Sequence, residues 1–170
     1  MKIALGADHA GFELKESIKR LLTAQGLQIE DCGTYSADSV DYPDFACVAG
    51  RKVSGKQADF AILVCGTGIG MSMSANKLAG IRAAKADTEY EAEMARAHND
   101  ANVLCLGARV TDAVTAEKLI GKFLGTRFEG GRHQRRVDKI MALERQEDSL
   151  ATDSRGENQA GIRAVEAIDE

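Results

Sequence analysis

Cys65 ends an apolar run, Asp59–Cys65, and opens a Gly-Thr-Gly-Ile-Gly turn that leads into a helical pattern. Glycines let a backbone approach a ligand closely, and a following helix presents free N–H groups and the positive end of its dipole. A thiol placed there is favoured as thiolate and can act as base or nucleophile. Two plainer readings stand beside this one. The turn can be a tight strand-to-helix connection, and Cys65 can be the last packed residue of its strand, since free cysteine behaves as a small hydrophobe. The pattern is G-x-G-x-G, without the spacing of a dinucleotide fingerprint or the GK[ST] of a P-loop, so no nucleotide is implied.

Three further clusters could carry chemistry. Asp8-His9 follows the first apolar strand and suits sugar hydroxyls or acid–base work, although Asp8 also reads as a helix N-cap. Arg132 and Arg136, in the run Arg132–Arg136, are i,i+4 neighbours that open a helix after Gly130-Gly131. Cations at a helix N-terminus oppose the dipole, so their presence there calls for an anion such as phosphate; the alternative is a solvated charge run. His98-Asn99 closes a helix, where a histidine is favourable through the dipole alone. The chain has three histidines, all far apart in sequence, which argues against a metal site. Cys32, Cys47 and Cys105 lack the glycine context and read as packing residues.

The elements that must position these residues alternate. Strands are expected at Lys2–Gly6, Leu27–Cys32, Asp59–Cys65, Ile81–Lys85 and Asn102–Leu106. Helices are expected over Phe12–Gln25, from Pro43 to Ser54, from the glycine turn to Leu78, and over Thr88–Ala97 and Asp112–Leu124. A last amphipathic helix follows Gly131, with Val137, Ile140 and Met141 on one face. Repeated β-α units of this kind imply a Rossmann-like three-layer α/β/α sandwich around a mostly parallel five-stranded sheet. In such units, residues after strands lie on one edge of the sheet and residues after helices on the other. Cys65 and His98 should therefore be far apart within one chain. If both act on one substrate, a second subunit supplies His98.

The 170 residues suffice for one domain, here 1–146, with a polar flexible tail at 147–170. Hydrophobic content is 44% and net charge −4, so neither nucleic acid nor an acidic membrane surface is indicated as partner. No apolar run approaches the ~20 residues of a membrane span, and the N-terminus turns polar too early for a signal peptide. Four cysteines without CxxC spacing read as reduced thiols in a cytoplasmic protein.

The stretches GADHAGFELK, DYPDFA, CGTGIGMSMSANK, GIRAA, AHNDANVLCLGAR and EGGRHQRRVDKI, in this order from Lys2 to about Glu144, together resemble the ribose-5-phosphate isomerase B family, which also includes galactose-6-phosphate isomerase subunits. The resemblance implies aldose–ketose isomerisation of ribose 5-phosphate and ribulose 5-phosphate, with no cofactor or metal. It also implies a homodimer or tetramer whose active sites are shared between subunits. It makes Cys65 the base and His98 the residue that opens the sugar ring. Asp8, His9 and the amides of Gly66, Thr67, Gly68, Ile69 and Gly70 would hold the sugar and its enediolate, and Asn99, Arg109, Arg132 and Arg136 would complete substrate and phosphate binding. One branch of the family has a glutamate base just after the turn. Met71 stands there in this chain, which places it with the cysteine branch. A 6-phosphohexose substrate (allose or galactose 6-phosphate) and a non-catalytic sugar-phosphate-binding module are the alternative readings.

Overall fold

The computed structural model describes residues 1–144. The expected tail at 147–170 lies outside them. The chain divides into two compact units, Met1–Gln134 and Arg135–Glu170, and of the second the described residues 135–144 are helical.

The first unit runs β1 (Lys2–Ala7), a 3-10 turn (His9–Gly11), α1 (Phe12–Ala24), β2 (Gln28–Asp31), α2 (Tyr42–Ser54), β3 (Phe60–Cys65), α3 (Ile69–Ala75), β4 (Ala83–Lys85), α4 (Glu89–Asn99), β5 (Val103–Gly107) and α5 (Ala113–Gly125). The five strands form one sheet in the order β2-β1-β3-β5-β4, and every pairing is parallel. Strand alternation sorts side chains to two faces. Ile62 and Val64 of β3 with Leu104 and Leu106 of β5 pack under α1, α4 and α5, against Leu14, Ile18, Ala92, Leu119 and Phe123. Ala61, Leu63 and Cys65 with Val103 and Cys105 pack on the opposite face under α2 and α3, against Ala46, Ala49, Met71 and Ala75. The sheet is thus covered on both sides, which is why its central strands are apolar throughout rather than alternating.

Element ends differ from the sequence reading for local reasons. The expected helix to Leu78 stops at Ala75, because the Asn76 amide pairs with both the N–H and the carbonyl of Ala83, at 2.8 Å each. The fourth strand starts at Ala83 rather than Ile81, since the Arg82 N–H donates to Asn102 Oδ1 instead of joining the ladder. Thr88 is the N-cap of α4, not its first residue. Its hydroxyl accepts the Glu91 N–H and the Glu91 carboxylate accepts the Thr88 N–H, a reciprocal capping box. α4 then runs on to Asn99, so His98 and Asn99 sit in its last turn.

Candidate active site

β1 and β3 are neighbours in the sheet, but the chain leaves β1 toward β2 on one side and returns on the other. Their carboxyl ends therefore diverge into a crevice, the place where parallel sheets bind ligands. An open cleft of about 420 Å³ lies there. It is lined by Asp8, His9 and Ala10 after β1, by Cys65, Gly66, Thr67, Ile69, Gly70 and Met73 on and after β3, by Tyr42 at the start of α2, and by Arg109 after β5.

Cys65 is 4% exposed, with its side chain toward the α2/α3 face. The Gly68 amide donates to its sulfur at 3.1 Å. Gly68 adopts φ +77°, a left-handed conformation that folds the turn back over Cys65, and an added Cβ would stand 3.0 Å from the Leu106 carbonyl carbon. Glycine is needed on both counts. The amide of Gly68, expected to face substrate, is thus taken up by the thiol in this structure.

The segment after β5 buttresses the turn. Ala108 N–H donates to the Cys65 carbonyl at 2.8 Å and Arg109 N–H to that of Gly66 at 3.0 Å. The Arg109 guanidinium lies over Gly66, where a Cβ would come within 3.3 Å of its Cζ. Arg109 is exposed, so its charge is available to a bound anion.

Asp8 is buried and performs the cap that its sequence context suggested: Oδ1 accepts the Gly11 N–H at 3.0 Å. The turn it caps sits close on β3, for a Cβ on Gly11 would meet the Val64 carbonyl oxygen at 2.5 Å. His9 receives the Val40 N–H on Nδ1 at 3.2 Å. The same nitrogen stands 3.3 Å from the Val40 carbonyl oxygen, to which it would donate in the other tautomer. Val40 thus holds the ring through Nδ1, at the wall of the cleft. The segment that brings Val40 in is tied at its other end. Thr34 N–H donates to the Ala7 carbonyl, and Gly33 N–H to Asp31 Oδ1. Burial works to raise the Asp31 carboxyl, but hydrogen bonds from Lys15, Lys19 and Gly33 outweigh it and hold the group below the usual carboxylate range. Lys15 itself is fully buried.

Sequence reasoning missed Tyr42 and Met73. The Tyr42 ring lies on Gly70, where a Cβ would be 2.7 Å from ring carbons. An aromatic residue directly before Pro43, in the first turn of α2, was the available signal.

His98, Asn99 and Arg132 are not in this cleft. α4 ends at Asn99 and leads to the amino end of β5, where Ala61 N–H donates to the Asn102 carbonyl. β3 runs from that edge to Cys65 at ~3.3 Å per residue, so His98 and Cys65 are separated by roughly 15 Å or more of sheet. At the far edge His98 stacks on His133, with ring centroids 4.0 Å apart and planes within 5°. Both Nε2 atoms stand 3.7 Å from Glu129 Oε2. Arg132 Nε donates to His133 Nε2 at 3.3 Å. Distance along the chain was no guide here: two of the three histidines lie ring on ring. Arg136 belongs to the second unit. The buried Cys105, beside Cys65 on β5, has its thiol pushed well above the ordinary range by burial, with a smaller contribution from Cys65.

Fold and site together define a parallel α/β sandwich that presents a thiol, a carboxylate, an imidazole and a guanidinium around one cleft at a topological switch point. The ribose/galactose isomerase family model matches residues 3–140. Ribose-5-phosphate isomerase B of Escherichia coli is 46% identical over 143 residues, 84% of this chain and 96% of the relative. Among solved structures, ribose-5-phosphate isomerase B of Clostridium thermocellum superposes with a TM-score of 0.85 at 44% identity, covering 86% of this chain and 99% of the other. The Mycoplasma genitalium protein of the same name, solved with bound ribulose-5-phosphate, gives 0.81 at 42% identity and covers 85% and 96%. The chain belongs to the ribose/galactose isomerase family, and with it to the isomerase class of enzymes.

Proposed function

We propose that the protein interconverts ribose 5-phosphate and ribulose 5-phosphate through an enediolate, with Cys65 as the base. The observation that carries this reading is the Cys65 sulfur in the cleft wall, hydrogen-bonded by Gly68 and flanked by Asp8, His9 and Arg109. The thiolate takes the C2 proton of the open-chain aldose, the electron pair moves into the C1–C2 bond, and charge gathers on O1. The thiol then returns the proton to C1 while the O2 proton is lost and O1 gains one, which gives the ketose. Donors aimed at the transient oxyanion typically contribute ~10²–10³ in rate each. Arg109 offers a cation, and His9 an imidazole, for substrate oxygens.

The substrate is a ring before it is an open chain, and His98 is the group proposed to open it. The two edges of the sheet cannot serve one sugar within a single chain, so we place His98, Asn99, Arg132 and Arg136 in the site of a neighbouring subunit of a homodimer or tetramer. The protein is proposed to work in the cytoplasm. All four cysteines are free thiols, and no described helix is long and apolar enough to cross a membrane.

The test is a panel of phosphorylated pentoses and hexoses offered to the purified protein with no cofactor added. Turnover of ribose 5-phosphate with the highest kcat/KM supports the proposal. Preference for galactose or allose 6-phosphate, within the range of the family name, moves the substrate to a 6-phosphohexose. Tight binding without turnover of any sugar would make the protein a binding module.

A further inference from the structure

We propose that His98, Glu129 and His133 form a binding site for one Zn²⁺ ion. Their ligand atoms all lie within 4.8 Å of one another. Two imidazoles and one carboxylate are a donor set that zinc accepts, with a fourth position left open.

The spacing of both imidazoles from the Glu129 carboxylate leaves room for a bridging cation. Each Nε2 to Oε2 separation is 3.7 Å, beyond the range of a good hydrogen bond. Donors at ~2.0–2.2 Å from a tetrahedral ion stand about 3.3–3.6 Å from each other, so the two edges to Glu129 need to close by at most a few tenths of an ångström. His133 Nε2 accepts from Arg132, so its lone pair is already on the nitrogen that faces Glu129. That is the tautomer a metal requires.

The backbone around the triad is braced. Glu129 N–H donates to the Ala97 carbonyl at 3.0 Å, which ties the segment to the last turn of α4 beside His98. Gly130 and Gly131 follow at φ +65° and +55°, two successive left-handed residues that reverse the chain and bring His133 back over Glu129. His133 is 5% exposed, while His98 and Glu129 are open enough to admit an ion. Two adjustments accompany binding. The rings are parallel, so their lone pairs run side by side, and each must tilt about χ2, a soft torsion. The Arg132 guanidinium must also leave Nε2, and being exposed it can swing away. Arg132 is thus a built-in competitor of the ion.

Binding itself does not depend on the enzymatic reading. Inhibition does: where His98 opens the sugar ring, a metal on Nε2 blocks it, and Zn²⁺ acts as a reversible inhibitor.

The experiment titrates the full-length, metal-stripped protein with Zn²⁺ by calorimetry and with Co²⁺ by visible absorption. One ion per chain is expected, with Co²⁺ bands of low coordination number. Glu129→Gln, at an exposed position, and His133→Gln should each weaken Zn²⁺ by more than the ~10–100-fold typical of outer-shell changes. Arg132→Met should tighten it. Binding with this pattern in a chain that turns over no sugar, or without inhibition of one that does, supports the metal site and removes His98 from ring opening. Absence of binding overturns the proposal. So does binding that Glu129→Gln leaves unchanged and thiol alkylation abolishes, which would put the ion on cysteines.

Discussion

A mixture of two inactive variants tests the separation of Cys65 from His98 most directly. Cys65→Ala removes the base from the cleft, and His98→Ala removes the ring-opening group from the opposite edge. Within one chain the six residues of β3 stand between these edges, so no side-chain movement brings them to one sugar. In a two-fold dimer with shared sites, each site takes Cys65 from one chain and His98 from the other. A mixed dimer then holds one site with both residues and one with neither. Random exchange of an equal mixture makes half the dimers mixed, so about a quarter of all sites are intact and about 25% of wild-type activity returns. Each parent alone should have lost ~10²–10⁴-fold. The assay is isomerisation rate after exchange, with mixed dimers counted by mass spectrometry of one isotopically labelled partner. Mixed dimers at half the population with no recovered activity would refute the reasoning and require both residues to serve one site from one chain.

Cys65→Ala should retain the fold and sugar-phosphate binding while exchange of the substrate C2 proton with solvent deuterium, followed by NMR, slows by at least ~10²-fold; exchange near the wild-type rate would transfer the role of base to Asp8. Arg109→Ala should raise KM about ten- to hundredfold with kcat little changed, the loss of one charged hydrogen bond made in ground and transition state alike; an equal fall in kcat and kcat/KM would instead assign Arg109 to the transition state. Asp31→Asn should destabilise the protein by about 3 kcal/mol, because Lys15 is buried at 2.7 Å from Asp31 and keeps only Glu16 beside it, lowering Tm by about 6–12 °C near neutral pH. The folded carboxyl lies below its ordinary value of 3.8, so this contribution is complete above that value and disappears as pH falls through the folded value. Melting curves of wild type and variant should therefore converge in acid, and a gap that does not change with pH would show that charge is not its source.

The parts of this molecule that were legible in sequence are those where a single segment carries the information. The run FAILVC, apolar at every position, announces a strand buried on both faces, and the glycines after it announce a close turn. Strand alternation with helices was enough for a parallel sheet and for the cleft at its carboxyl edge, where Asp8, His9 and Cys65 converge, whereas Arg109 was implied by the family resemblance alone. Helix ends were less legible because side chains decide them. Asn76 captures both backbone groups of Ala83, and nothing in the composition of the helix signals that partner. The destination of the Gly68 amide was not legible either, because it depends on a left-handed φ that the sequence permits but does not require. The His98–Glu129–His133 triad was hidden for a different reason. Its members come from two segments joined by a double-glycine reversal, and sequence spacing has no bearing on which rings such a reversal stacks.

The two ends of the sheet also enclose their side chains to different degrees, and this bears on which chemistry each can host. The thiol grows from a central strand, is almost fully enclosed, and is held by an amide that belongs to the same turn. A base that must return the proton it takes to the neighbouring carbon needs that fixity, since an error of an ångström in position costs orders of magnitude in rate. At the other edge the His98 ring, in the last turn of α4, is about one-third exposed beside an exposed Glu129, while His133 is buried. Ring opening is proton transfer among oxygens, tolerant of small adjustments, and an imidazole that can tilt is suited to it. The same tolerance is what admits a metal ion. The proposed division of one active site over two subunits thus follows the enclosure of the two edges: the strand ends hold the carbon chemistry, and the rim, brought by the neighbour, prepares the substrate for it.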